Sequence, residues 1–277
     1  MTTIRVVDIE TTGHEPPPNG TAEVIELGWQ DVVLTGPPAP AHAAICDDTG
    51  SLLYGSEHPC PPEVRAVHHI DPDEYFGLEV FDQRVWSEAH SQVDIDILAA
   101  HNAAFEQSFL DPEGQHRWIC TLKCARRAWP DAPGHSNQVL RYWLDGGRVN
   151  AGIDPERAHP PHRAGPDAYV TAWILARLLL DHSIDQLLQW SSEPLTFRRF
   201  GFGKHKGQDI QSVPHDYLDW IVFKSDMDHD TKWTCRQEME RRRAAAQAHR
   251  DELARRRQPD LEQYESGKSA RETGGEC

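Results

Sequence analysis

The sequence has no apolar run of membrane-spanning length, which excludes a transmembrane helix. Its first hydrophobic segment, residues 4–9, is short and interrupted by Arg5 and Asp8, so it does not read as a secretory leader either. A soluble, intracellular, cytoplasmic protein is expected. Cysteine is sparse: Cys46, Cys60, Cys120, Cys124, Cys235 and Cys277 are spaced too irregularly for a disulfide framework in a chain of 277 residues. Reduced thiols are expected, with Cys120 and Cys124 as small core residues, because no second pair stands at zinc-finger spacing. No segment repeats. The chain also lacks positive charge, with 28 Lys and Arg against 44 Asp and Glu and a net charge of -16. The deficit is local: residues 1–194 carry 12 basic against 29 acidic residues, and residues 195–277 carry 16 against 15. A broad basic face on the first part is excluded. Any affinity for a polyanion must come from bound cations, a few placed basic side chains, or the second part.

The length suits one domain of ordinary size plus a smaller one. Alternating β-branched residues predict a strand over 4–10, with a turn at Thr11-Thr12-Gly13, and a second strand over 24–34. The proline-rich residues 36–40 read as a loop. Asp47-Asp48-Thr49-Gly50 reads as a turn before a third strand over 51–54. From Val93 the pattern changes to alternating elements: a strand ending at Ala100, a helix over 103–110 capped by Asn102, a strand over 118–121, and helices over 122–129, 137–144 and 166–180. Strands first and alternation afterwards indicate an α/β fold, a mixed sheet flanked by helices. Residues 191–195 read as a linker. Three regions follow: 1–190, a small Gly- and aromatic-rich domain over 196–233, and a charged helix with a disordered tail over 234–277.

Asp8 and Glu10 stand two apart on a strand, so both carboxylates leave the same face and can share a cation. The whole phrase Val6-Val7-Asp8-Ile9-Glu10-Thr11-Thr12-Gly13 resembles the first motif of the DEDD exonuclease superfamily. Two later segments repeat the resemblance in the right order: His101-Asn102-Ala103-Ala104-Phe105-Glu106, and His162-Arg163-Ala164-Gly165-Pro166-Asp167, an H-x-x-x-x-D spacing typical of the DEDDh subtype. The resemblance covers most of residues 1–185, and the layout is similar to bacterial exodeoxyribonuclease X-like proteins.

It implies a ribonuclease-H-like fold and metal-dependent 3′-to-5′ hydrolysis of phosphodiester bonds, releasing nucleoside monophosphates from DNA ends, in repair or strand processing. It also implies two Mg²⁺ or Mn²⁺ ions about 4 Å apart, a pair that can stabilise both attacking and leaving oxygens. Asp8, Glu10 and Asp167 would hold one ion, Asp8 would bridge to the second, and Glu106 would support that one through water. Glu106 departs from the pattern, since the family's usual residue there is Asp, one methylene shorter. His162 would deprotonate the attacking water, a task that suits imidazole. Thr11, Thr12, His69, Asn102 and Phe105 would meet the terminal nucleotide, with His68 beside His69; Phe105 and Trp118 also read as core aromatics.

The segment Phe200-Gly201-Phe202-Gly203-Lys204-His205-Lys206-Gly207 resembles a module found at the C-terminus of some of these proteins. Lys204 and Lys206 on a tight turn near aromatics suggest a nucleic-acid grip, and a hairpin with solubilising lysines is the alternative. Arg241–Arg243 and Arg255–Arg257 alternate with acids, as on a solvated helix face. DNA is the expected partner. RNA trimming, a non-catalytic binding protein with a degenerate site, and a subunit bound to a polymerase or repair partner stay open at this level.

Overall fold

A computed structural model describes residues 2–35, 42–84, 86, 95, 97–146 and 152–257. The proline-rich residues 36–40, the approach to Ala100 around Val93, and the tail from residue 258 lie outside them. The chain divides into two compact units, Met1–Glu193 and Pro194–Cys277. No helix among the described residues is long and apolar enough to cross a membrane.

The first unit is built on a five-stranded mixed sheet of order β3-β2-β1-β4-β5. Strands β1 (Thr2–Thr11), β2 (Val24–Thr35) and β3 (His42–Leu53) form an antiparallel meander, while β4 (Ile97–Ala100) and β5 (Arg117–Cys120) add in parallel. All of Ile97-Leu98-Ala99-Ala100 is buried, as a central parallel strand requires. Helices are α1 (Pro62–His68), α2 (Pro72–Tyr75), α3 (Ala104–Leu110), α4 (Thr121–Ala128), α5 (Asn137–Leu144), α6 (Ala164–Leu178) and α7 (Ile184–Ser192). Helix α6 is the hydrophobic centre: Tyr169, Val170, Trp173 and Ile174 pack on Ile4, Val6, Val32 and Leu34 on one face of the sheet. Val7, Ile9 and Leu27 face the other way, against Phe109 and Leu110 of α3. This is the α/β, ribonuclease-H-like mixed sheet flanked by helices.

Three local expectations change. The turn expected at residues 47–50 lies inside β3, because its residues are absorbed as a register irregularity opposite Gln30 and Val32. Gly50 is needed there for space, since a Cβ would fall 1.9 Å from the Trp29 indole. Ser191 belongs to α7 rather than a linker; its hydroxyl accepts the Cys120 N–H at 2.8 Å and ties α7 to the sheet. Asn102 does not cap α3 with its side chain, as that helix starts from Ala103. Cys120 and Cys124 are buried free thiols, in keeping with core residues.

In the second unit, 3-10 turns at Gly203–His205 and Ile210–Ser212 precede α8 (His215–Lys224) and α9 (His229–Arg257). The core gathers Phe200, Ile210, Val213, Leu218, Ile221, Val222, Cys235 and Met239. Helix α9 starts five residues before the expected 234, and its first turns supply Cys235 and Met239. Arg242 is not on a solvated face: its Nη2 donates to the carbonyls of Ile210, Gln211 and Val213, and its Nε to Glu238. Arg241 grips the same buried Glu238 with two bonds. Arg256, paired with Glu252 and exposed, does sit on an open face.

Candidate active site

Strand parity builds the site. Ile4, Val6, Asp8 and Glu10 share the face covered by α6, so the apolar pair lies under the helix and the acids emerge at its N-terminal end. Cross-strand pairing sets Gly28 opposite Asp8 and Glu26 opposite Glu10. Gly28 lets α6 come close: a Cβ there would stand 2.1 Å from the Ala164 carbonyl carbon. Asp167, in the first turn of α6, thereby meets the strand acids, and ligand oxygens of Asp8, Glu10 and Asp167 lie within 4.8 Å of one another. The positive end of α6 favours negative charge at this position. Asp167 is oriented by two donors, the His162 backbone N–H at 2.8 Å and Gln138 Nε2 at 3.1 Å.

Glu106 is not part of that three-carboxylate group, yet it is buried on α3, which excludes the exposed structural acid as its role. Its Oε2 has no hydrogen-bond partner among the described residues. Burial, partly offset by its own backbone and reinforced by Glu10, pushes its carboxyl up to about 8. Burial, with Asp167 and Glu26 adding and Arg163 opposing, likewise pushes Glu10 up to about 8. Burial and then Asp167, Glu10, Glu106 and Glu26 raise Asp8 well above the carboxylate range; burial also raises Asp167 against its hydrogen bonds. Acids packed this closely repel one another. A divalent cation relieves that repulsion, so an all-oxygen donor set with an unpartnered buried oxygen nearby fits one.

Among the described residues, three non-glycines adopt left-handed backbone: His69 (φ 57°), Asn102 (79°) and His162 (60°). All three stand among the residues singled out from the sequence. Such conformations cost energy and concentrate at functional sites. His69 and His162 are exposed, whereas His68 is buried, accepting the Ile70 N–H on Nδ1 at 2.9 Å and facing Cys60 Sγ through Nε2. His68 therefore fixes the loop that presents His69 and does not itself line an open pocket. The hydroxyls of Thr11 and Thr12 are engaged in their own turn, Thr11 donating to the Gly13 carbonyl and Thr12 accepting the Glu23 N–H. Phe105 is half-buried, edge-on to Phe109 and His14. Lys204 and Lys206 are exposed in the second unit, on and just after a 3-10 turn at the tip of an antiparallel pairing of Arg199 with Asp209, with Lys204 Nζ 4.9 Å from the Tyr217 ring centroid.

Sequence reasoning missed Glu26 and Arg163 as a pair. Arg163 donates through Nε and Nη2 to the two oxygens of buried Glu26 at 2.9 and 3.1 Å, and Glu26 also accepts from Ala164 N–H and the Ser51 hydroxyl. The pairing joins residues 137 apart, so no local signal reveals it. His101 stands out in the sequence only as the first residue of a motif, and the structure gives it a role of its own. Burial pushes its imidazole down to about 4, so it is neutral, and its Nε2–H donates to the His135 carbonyl while Nδ1 accepts from Thr121. That anchors the end of β4 just before α3.

No family model matches the chain. The chain is 28% identical over 232 residues to exodeoxyribonuclease 10 of Escherichia coli (strain K12), covering 80% of this chain and 92% of the relative. Among solved structures it is similar to exonuclease X in complex with 5′-overhanging duplex DNA, at 26% identity and a TM-score of 0.52, over 68% of this chain and 99% of that one. These similarities support the resemblance to the DEDDh exonuclease superfamily. Of the five acid and histidine positions read from the sequence, the strand acids Asp8 and Glu10 and the helix acid Asp167 converge. The superfamily generally works with divalent metals.

Proposed function

We propose that this protein is a divalent-metal-dependent 3′-to-5′ DNA exonuclease that releases nucleoside monophosphates from 3′ ends, with a place in DNA repair or strand processing. The observation that carries the reading is the convergence of Asp8, Glu10 and Asp167 at the N-terminal end of α6, in a chain similar to exonucleases. Asp8, Glu10 and Asp167 would hold one Mg²⁺ or Mn²⁺, with Asp8 and Glu106 serving a second. Bound there, the cations would supply charge stabilisation to the attacking and leaving oxygens.

The chain's own groups do the rest. His162 takes the proton from the attacking water, from a loop that Asp167 holds by accepting the His162 backbone N–H. The buried turn of Thr11 and Thr12, the left-handed residues Asn102 and His69, and the ring of Phe105 shape the seat of the terminal nucleotide. Lys204 and Lys206 contact strand phosphates through the second unit. Single-stranded DNA, duplex DNA and RNA of one sequence, labelled at the 5′ end, are incubated with Mg²⁺, Mn²⁺ or a chelator. Stepwise shortening of DNA with release of mononucleotides is expected in either metal, and none with chelator. Cleavage of circular DNA as fast as linear would overturn the exonuclease reading, and faster trimming of RNA would move the substrate class.

A further inference from the structure

The loop that carries His162 is held from two sides. On one side its own N–H donates to Asp167 Oδ2 at 2.8 Å. On the other, the next residue, Arg163, forms a two-bond fork with Glu26 on β2. Between these clamps His162 sits at φ 60°, and Arg163 returns to extended backbone at φ -132° to start α6. A left-handed histidine persists only where its surroundings over-determine it. The Arg163 carbonyl accepts the Asp167 N–H at 3.0 Å, which closes the first turn of α6 on this residue. The Glu26 fork ties that turn to β2, because a planar guanidinium bonded through two nitrogens fixes orientation as well as distance.

Glu26 is itself rigid. It is 3% exposed, stands directly opposite Glu10 in the ladder, and receives four hydrogen bonds, two from Arg163, one from Ala164 N–H and one from Ser51. Gly28, two residues on and on the same face, sets the close approach of α6. The remaining terminal nitrogen of Arg163, Nη1, reaches Glu74 of α2 at 3.7 Å. The loop is thus referenced to the same strand pair that carries Asp8 and Glu10.

We infer that the Glu26–Arg163 pair is a positioning device for His162: it registers the imidazole-bearing loop against the strand carboxylates, and it acts on turnover through His162. This rests on the reading of His162 as the base. Misplacing a reacting group by about 1 Å can cost on the order of 10²-fold in rate, so loss of the pair should appear in kcat.

Removing Arg163 alone strands a buried charge, so the test replaces the pair with apolar residues of similar length, Glu26→Met with Arg163→Met, alongside Arg163→Lys, which keeps the charge and loses the fork. Turnover on a 5′-labelled single strand is measured with each variant in the parent and in a His162→Ala background, together with KM and the Mg²⁺-induced rise in melting temperature. In the parent background the Met pair should lower kcat by roughly 10- to 100-fold with KM within about two-fold. Arg163→Lys should fall between. The Mg²⁺-induced rise should remain, since Asp8, Glu10 and Asp167 are untouched. In the His162→Ala background the Met pair should cause no further loss, because groups acting as one unit are non-additive. An unchanged kcat, or a loss that multiplies onto that of His162→Ala, overturns the inference while leaving the base in place. Parental turnover by His162→Ala itself removes the base reading and this inference with it.

Discussion

Raising the pH should destabilise the metal-free protein, and Mg²⁺ should restore it by an amount that grows with pH. Glu10 and Glu106 are each pushed from the usual 4.5 up to about 8. Asp8 and Asp167 are shifted in the same direction. Between pH 4.5 and 8 the folded protein holds protons that the unfolded chain has released. Stability from these groups is therefore complete below their unfolded values and is lost as pH rises through about 8. Each pKa unit is worth about 1.4 kcal/mol, and the acids share their protons, so the loss is on the order of 4 kcal/mol.

For a unit of this size about 1 kcal/mol moves Tm by about 2–4 °C, giving roughly 10 °C between about pH 5 and 8. His68 and His101, both shifted down mainly by burial, work the other way, adding stability as pH rises toward the ordinary histidine value. The clean quantity is therefore the difference in Tm with and without saturating Mg²⁺ at each pH, in which the histidine contributions cancel. It should be near zero at about pH 5 and roughly 10 °C at about pH 8. An Asp8→Asn, Glu10→Gln variant should lose most of the dependence. A Mg²⁺-induced shift that is flat or falls over that range would refute the argument that these carboxyls are held protonated until a cation replaces the protons.

Other outcomes rest on individual side chains. Glu106→Asp should keep turnover within a few-fold, whereas Glu106→Ala should lose roughly 10²-fold in single-turnover assays; a fully active Ala variant would make residue 106 a bystander. Gly28→Ala would place a methyl 2.1 Å from the Ala164 carbonyl carbon, costing about 1–3 kcal/mol by overpacking and displacing Asp167, so both Tm and kcat should fall. Parental values for both would mean that α6 is not pressed on β2 there. Lys204→Ala with Lys206→Ala should raise KM for DNA and flatten its salt dependence, by about one unit of log-log slope for each phosphate that is no longer neutralised, with kcat at saturation kept. An unchanged slope would mean that neither lysine touches the DNA.

The sequence by itself determined the parts of the site whose geometry is local. A period of two puts Asp8 and Glu10 on one face, and Pro166 marks the first turn of a helix that also holds Asp167 five residues after His162, although the helix itself starts at Ala164. The mixed character of the sheet also followed from strands giving way to alternation, whereas its strand order did not. Only the tertiary structure decided what depends on neighbours distant along the chain. The length of β3 was hidden because Asp47 to Gly50 has the composition of a turn, and only the ladder with β2 and the Trp29 ring over Gly50 explain it as strand. Ser191 read as linker until β5 supplied the N–H for its hydroxyl, and Arg242 read as solvent-facing until three carbonyls of the preceding turn met it. Glu26 looked like any acid in an alternating strand. Its partner Arg163 lies 137 residues away, and a charged side chain at a buried position takes its meaning from the group that neutralises it, which only folding brings into reach.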